Sequence, residues 1–324
     1  MSCYHPLKGY QFGTTDTGKP AYKVVSYDTI LYDSTGKEME YQVIPCGKGI
    51  GCRLAYTRMW ADRCIAEATR HDSSYFVTLT YDNDHLPHAV DPETGEIFDH
   101  GTLVKRDCQL FMKRLRKNYS YDNKIRFFLA GEYGSTTARP HYHVILFGLV
   151  LDDLKLYSKT ALGFNLYNSD WLSAIWGLGH VVIADVTWET CAYTARYILK
   201  KQSGGAAQVY DIYHIEKEFT LMSRKPGIAR DFYEDNKLDY LRYGEINIST
   251  PKGGRKVGNI KYFDKLLEVE YPEDVEIVRD KCKKRMEVIN AIKLTKTDKS
   301  YLEMLETEES VKKAQIRKLP RKEI

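Results

Sequence analysis

Two apolar runs separated by a short polar stretch constrain this chain most. The first, Ile125-Arg126-Phe127-Phe128-Leu129-Ala130-Gly131-Glu132, reads as a strand ending in an acid. The second, Arg139-Pro140-His141-Tyr142-His143-Val144-Ile145-Leu146-Phe147-Gly148, reads as a strand that opens on a histidine pair. Residues 133 to 139 between them include Gly134, and Pro140 follows, which suits a hairpin. Side chains two apart on a strand point the same way. His141 and His143 are therefore expected on one face with Tyr142 opposing them. If the strands pair, Glu132 lies beside the histidines, giving two imidazoles and a carboxylate with open positions on a metal.

Farther along comes Tyr193-Thr194-Ala195-Arg196-Tyr197-Ile198-Leu199-Lys200-Lys201. On a helix, positions i, i+4 and i+7 share a face, so Tyr193, Tyr197 and Lys200 form one polar stripe. Two hydroxyls and an ammonium beside a metal suit attack on a phosphodiester. Taken singly, a His-x-His strand is more often a packing pair. Tyrosines four apart also more often pack, especially in a chain with 25 tyrosines. The combination in this order is the specific signal.

Upstream lies Phe76-Val77-Thr78-Leu79-Thr80-Tyr81, and Gly131-Glu132-Tyr133-Gly134 precedes the histidine strand. With the Tyr-x-x-x-Tyr-x-x-Lys helix, this order resembles the HUH endonuclease superfamily. Within it, the chain is similar to the replication initiators of microviruses, particularly the gokushovirus type. The resemblance covers roughly residues 50 to 230. It implies nicking and rejoining of single-stranded DNA at a rolling-circle origin through a 5′-phosphotyrosine. Tyr193, Tyr197 and Lys200 would be catalytic, and Glu132, His141 and His143 would hold Mg²⁺ or Mn²⁺. Candidate DNA contacts are Thr78, Thr80, Arg139, Arg196, Lys201, Arg224 and Lys225. Origin DNA is the implied partner, with a host helicase and the host replication machinery, in the bacterial cytoplasm. The rival readings are a plasmid relaxase or transposase of the same superfamily, and a non-catalytic single-strand binder whose histidines merely pack.

The rest of the chain sets bounds. Its 324 residues suffice for a full core. At 43% hydrophobic and 28% charged, the composition is that of an ordinary soluble protein. No apolar run approaches a membrane span, and the start does not read as a signal peptide. Seven cysteines without secretory context are expected to be reduced thiols. A net charge of +4 permits nucleic-acid binding without demanding it.

Taken in order, residues 1–72 read as a strand-rich segment and a helix, 73–202 as the endonuclease core, and 203–324 as an extension with basic loops and a charged helical tail. The core order is strand, helix, strand, strand, helix, strand: an α+β fold of the ferredoxin-like, RRM-like βαββαβ kind with helices against one face of an antiparallel sheet. That leaves the other face for the metal and DNA. Thr187 is placed to cap the tyrosine helix, and the glycine-rich stretch 202–206 reads as a flexible connection. Cys3, His5, Cys46 and Cys52 are candidate zinc ligands. In the resembling phage proteins this segment often reads Cys-Gly-x-Cys-x-x-Cys. Here glycine stands for the middle cysteine in Cys46-Gly47-Lys48-Gly49-Ile50-Gly51-Cys52, which favours isolated free thiols. The arginines of the helix over 53–71 fit either a solvated face or phosphate contact, and the tail is expected to be solvated.

Overall fold

The computed structural model describes residues 3–16, 18, 20–134, 137–160, 163–197, 207–250, 253–258 and 260–318. The chain opens with β1 (Leu7–Thr14), β2 (Pro20–Ser26), β3 (Tyr41–Ile44) and α1 (Ile50–Ala68). Next come β4 (Ser74–Tyr81), β5 (His88–Val90), β6 (Ile97–Gly101), α2 (Lys105–Asn118), β7 (Arg126–Tyr133) and β8 (Pro140–Phe147). They are followed by β9 (Lys155–Lys159), β10 (Asn165–Asn168), α3 (Asp170–Trp176), β11 (Gly179–Asp185) and α4 (Trp188–Tyr197). The last part comprises α5 (Gln208–Ile212), β12 (Phe219–Met222), α6 (Arg230–Tyr243), β13 (Glu245–Thr250) and β14 (Gly253–Gly258). Three helices close it: α7 (Lys261–Glu270), α8 (Pro272–Leu294) and α9 (Tyr301–Lys318). No helix among the described residues is long and apolar enough to cross a membrane.

The chain divides into two compact units, Thr57–Pro272 and Met1–Tyr56 with Glu273–Ile324. In the larger, a mixed α+β unit, a seven-stranded sheet runs β12-β7-β8-β4-β11-β10-β9, and its neighbouring strands pair antiparallel. The expected strand, helix, strand, strand, helix, strand series is present as β4, α2, β7, β8, α3 and β11. Two additions had no periodic signal: the β5–β6 hairpin around the Asp91–Gly95 turn, and β9 with β10 at one edge. β9 is exposed throughout, so it lacks the alternation that marks a half-buried strand. At the other edge β12 pairs with β7, placing Phe219 opposite Gly131 and Met222 opposite Phe128. A piece of the C-terminal extension thus covers an edge that would otherwise expose unpaired backbone.

One sheet face follows the alternation of the strands. Val77, Leu79 and Tyr81 of β4, Tyr142, Val144 and Leu146 of β8, and Val181 and Ile183 of β11 pack against Phe111, Met112 and Leu115 of α2 and Leu172 and Trp176 of α3. Trp176 is fully buried, its indole N–H donating to the Thr80 carbonyl at 3.2 Å. Trp176→Ala should cost about 3–5 kcal/mol, read as a lower urea midpoint with little change in slope. A loss under about 1 kcal/mol would mean the core collapses around the gap.

The second face corrects the expectation of helices on one side only. Phe76, Phe128, Ile145 and Phe147 on that face are buried. The Trp60 ring of α1 stacks on Phe128 at 4.8 Å, and α4 packs across β7 and β8. With both faces covered, β8 is buried along nearly its whole length, which explains why Val144 to Phe147 is a continuous apolar run.

Of the arginines along and just after α1, Arg63 is an internal fitting, whereas Arg53, Arg58 and Arg70 are exposed. Arg63 is buried and donates to the Ile228 carbonyl at 2.9 Å, Arg58 approaches Asp62, and Arg70 pairs with Asp235 at 2.8 Å. Buried Glu67 binds Arg126 of β7 and His71. Arg126 also donates to the Pro226 and Gly227 carbonyls at 3.0 Å each. Burial alone would raise the Glu67 carboxyl, but the hydrogen bonds from His71 and the Ala229 amide, with the Arg126 charge, hold it below the usual range. A depressed folded pKa stabilises above the unfolded value, here 4.5, and that contribution fades as pH falls through the folded pKa. Glu67→Gln should therefore cost about 3 kcal/mol near neutrality, with the difference from wild type shrinking below pH ~4. Denaturant titrations at several pH values read this directly; a pH-independent gap would contradict it.

In the smaller unit, β2-β1-β3 form an antiparallel sheet. Tyr10 is fully buried there, with its hydroxyl donating to the Thr29 carbonyl at 3.0 Å. The tail is largely exposed, as its charge suggests, but part of α9 is packed. Met304 and Leu305 of α9 are buried, Tyr301 meets Tyr27 at 5.5 Å, and Glu309 binds His5 at 3.1 Å.

Candidate metal centre and tyrosine helix

Strand register builds the site. Glu132 of β7 stands directly across from His141 of β8, and Ala130 from His143. On the other side of β8, Thr80 of β4 faces His141 and Thr78 faces His143. The hairpin closes through the Gly134 amide donating to the Arg139 carbonyl and the Ala138 amide to the Gly134 carbonyl, both at 3.0 Å. Glu132, His141 and His143 thus share the face opposite Tyr142. The Tyr142 hydroxyl lies on the α2 side, where it meets the Tyr81 hydroxyl at 2.8 Å and accepts the Val104 amide.

The three side chains converge on one point. His141 Nε2 lies 2.8 Å and His143 Nε2 3.0 Å from the same oxygen, Glu132 Oε1. Glu132 is 1% exposed and His143 2%, with His141 less deeply set. The outer nitrogens are already engaged. His141 Nδ1 donates to the Arg139 carbonyl at 3.0 Å, and His143 Nδ1 meets the Thr78 hydroxyl at 3.1 Å. A carbonyl only accepts, so His141 carries a proton on Nδ1, and in the neutral ring the Nε2 lone pair turns inward. Where the Thr78 hydroxyl accepts likewise and the rings are neutral, both aim lone pairs at a carboxylate oxygen. Three acceptors so close repel one another unless a proton or a cation sits among them. Outer hydrogen bonds that fix the tautomer are typical of metal-ligating histidines. Their ligand atoms all lie within 4.8 Å of one another, and this buried group can hold a metal ion.

Tyr193 of α4 stands beside the cluster. Its ring meets His143 edge-on at 5.1 Å and Phe76 at 6.1 Å, while Phe76 stacks on His143 at 5.5 Å. The helix is capped as expected: the Thr190 amide donates to the Thr187 hydroxyl at 3.2 Å, and the Thr187 amide to the Thr190 hydroxyl at 2.9 Å. Tyr197 ends α4; its side chain and that of Arg196 lie outside the described residues, as do Lys200, Lys201 and the glycine-rich stretch.

Among the remaining candidates, Thr78 serves His143, and Arg139 donates to Asn83 Oδ1 at 3.0 Å and to the Tyr81 carbonyl at 2.8 Å. Thr80 flanks His141 by register. Arg224 and Lys225 are exposed on the loop between β12 and α6, whose next carbonyls are held by Arg126 and Arg63. Of the basic stretches in the C-terminal extension, Gly254 to Lys256 lies on strand β14, with Lys256 paired to Glu245.

The anchoring of α4 was missed in the sequence. The Trp188 indole N–H donates to buried Asp62 of α1 at 2.8 Å, Arg255 donates to the same carboxylate at 3.3 Å, and the Arg255 guanidinium stacks 3.8 Å over Trp188. Burial raises the Asp62 carboxyl despite these partners. No sequence signal links positions so far apart. They fix the first turn of the helix that presents Tyr193.

The family model for ORF2-type replication-associated proteins matches residues 74–202. The chain is 32% identical over 278 residues to replication-associated protein VP4 of Bdellovibrio phage phiMH2K, spanning 84% of this chain and 79% of that protein. It is 29% identical over 290 residues to replication-associated protein ORF2 of Spiroplasma virus 4, spanning 88% and 86%. Replication-associated protein ORF4 of Chlamydia phage 1 is 29% identical over 239 residues, spanning 72% of this chain and 55% of that protein. No solved structure gives a significant match.

Proposed function

Because this chain belongs to the ORF2-type family of replication-associated proteins, we propose that it nicks and rejoins single-stranded DNA at the origin of a phage genome to drive rolling-circle replication. The observation that carries the reading is the convergence of two imidazole Nε2 atoms on a buried carboxylate oxygen beside the Tyr193 ring. The strand order β7-β8-β4-β11, with α2 and α3 in the two crossovers, supports a ferredoxin-like core of HUH type beneath that site.

A divalent cation held by Glu132, His141 and His143 would supply Lewis-acid polarisation of a non-bridging phosphate oxygen. Mixed nitrogen and oxygen donors suit Mn²⁺, and an open site handling phosphate suits Mg²⁺. The chain's own work is positional. Arg139 and Thr78 orient the imidazoles, and the anchored start of α4 presents Tyr193. Tyrosine, with an ordinary pKa near ~10, must surrender its proton as it attacks. Positive charge from Lys200, a little farther along the sequence, would favour the phenolate. The Tyr193 oxygen bonds to phosphorus, the bond to the preceding 3′ oxygen breaks, and that oxygen takes up a proton. A 5′-phosphotyrosine and a free 3′-hydroxyl result. The linkage keeps the phosphodiester energy, so rejoining by a 3′-hydroxyl requires no ATP. Tyr197, one turn along, would cut the regenerated origin while Tyr193 still holds the first 5′ end.

The reading is tested by incubating labelled single-stranded origin DNA with the protein and Mn²⁺. Cleavage should yield a fragment whose 3′ end a polymerase extends, while the new 5′ end resists kinase labelling until protease treatment. A 5′ end that is free without protease would point to simple hydrolysis; binding without cleavage would favour the non-catalytic binder.

A further inference from the structure

Isolated thiols, the reading favoured by the sequence, are not what the smaller unit contains. Cys3, at the start of the described chain, meets Cys46, which follows β3, and Cys52, in the first turn of α1. The Cys3 and Cys46 sulfurs are 3.6 Å apart, those of Cys46 and Cys52 3.9 Å, and all three lie within 4.8 Å of one another. We propose that Cys3, Cys46 and Cys52 bind a zinc ion, with His5 as the fourth ligand, and that this ion ties the N-terminal segment to the start of α1.

Three arguments carry it. The first is spacing: with Zn–S bonds of about 2.3 Å in a tetrahedron, neighbouring sulfurs fall about 3.8 Å apart, midway between the observed separations. The second is the backbone. The Cys46 amide donates to the Cys3 sulfur and the Gly49 amide to the Cys46 sulfur, each at 3.3 Å. Gly47 has a φ of +73°, a left-handed conformation that a side chain resists, and this turn swings the following amides toward the sulfur. The Cys3 and Cys46 sulfurs therefore each receive a backbone N–H. Three sulfurs gathered in so small a volume offer a ready set of thiolate ligands, and a soft divalent ion is the one sulfur prefers. The third argument is His5. A Cβ placed on Gly49 would lie 3.4 Å from both the Cys46 sulfur and His5 Cδ2, so the ring borders the cluster. Its Nε2 is bound by Glu309 at 3.1 Å, the outer carboxylate that commonly orients a zinc-binding imidazole. The Cδ2 edge of the ring faces the cluster, so His5 must change rotamer to bring Nδ1 onto the ion. Binding displaces the thiol protons, so affinity rises with pH. A disulfide between Cys3 and Cys46 would leave Cys52 and the amide donors without purpose.

Full-length protein purified without added metal should carry zinc that survives His141→Ala/His143→Ala and is lost in Cys46→Ser. Should Cys46→Ser fail to fold, the wild type still answers: titration with a mercurial should release zinc in step with thiol blocking. Cobalt exchanged into the protein should show tetrahedral bands with a sulfur-to-metal charge-transfer band. His5→Ala should keep that band but lose at least about tenfold in affinity; unchanged affinity would overturn the assignment of His5. Folded protein without zinc, zinc that persists in Cys46→Ser, or a Cys3–Cys46 disulfide in protein handled without oxidant would overturn the site.

Discussion

Glu132→Ala should abolish metal-dependent nicking while leaving the protein folded. Glu132 supplies the carboxylate to which both imidazoles turn, and it is buried. Changing a mere outer partner of a metal ligand costs roughly 10–100-fold, so losing the anionic ligand of the three should cost more than ~100-fold in cleavage rate. Two readouts separate this from general damage. Mn²⁺ at about 100 times its Kd should stabilise the wild type by about 2.7 kcal/mol, and that thermal shift should vanish in the variant. Burying a carboxylate costs desolvation, which its removal relieves, so in EDTA the variant should melt close to wild type. Retained cleavage with an intact Mn²⁺ shift would remove Glu132 from the site.

The second large effect concerns the tyrosines. Tyr193→Phe/Tyr197→Phe removes both nucleophilic oxygens and should reduce covalent transfer by on the order of 10⁴-fold or more. Each single variant should still form one covalent linkage but fail to release closed circles, because resolution needs a second hydroxyl while the first is occupied. Tyr193→Phe should suffer more in the first cut, since its ring borders His143. Gel analysis of a substrate with two origin copies distinguishes nicking from circle release. Circle release by either single variant at the wild-type rate would rule out the alternation.

How much of this was legible beforehand depends on the range of the interaction. The His141/His143 face, the opposed Tyr142 and the partnership with Glu132 follow from a period of two and a short hairpin, all within a few residues. Thr187 as cap was equally local. What escaped needed distant partners. Asp62 reaches Trp188 and Arg255, β12 completes an edge from beyond the core, and Trp60 of α1 covers Phe128. None of these leaves a periodic trace. The cysteines show the converse error. The glycine between Cys46 and Cys52 counted against a cluster, whereas the third sulfur comes from Cys3 at the other end of the unit's sheet segment.

The most direct test of the central claim is trapping the intermediate. Wild-type protein, single-stranded origin DNA and Mn²⁺ would be resolved under denaturing conditions, with the modified peptide identified by mass spectrometry. The account predicts a protein–DNA band that disappears with EDTA, with DNA attached to Tyr193 or Tyr197. Attachment at any other residue, or cleavage with no protein-linked DNA, would contradict it.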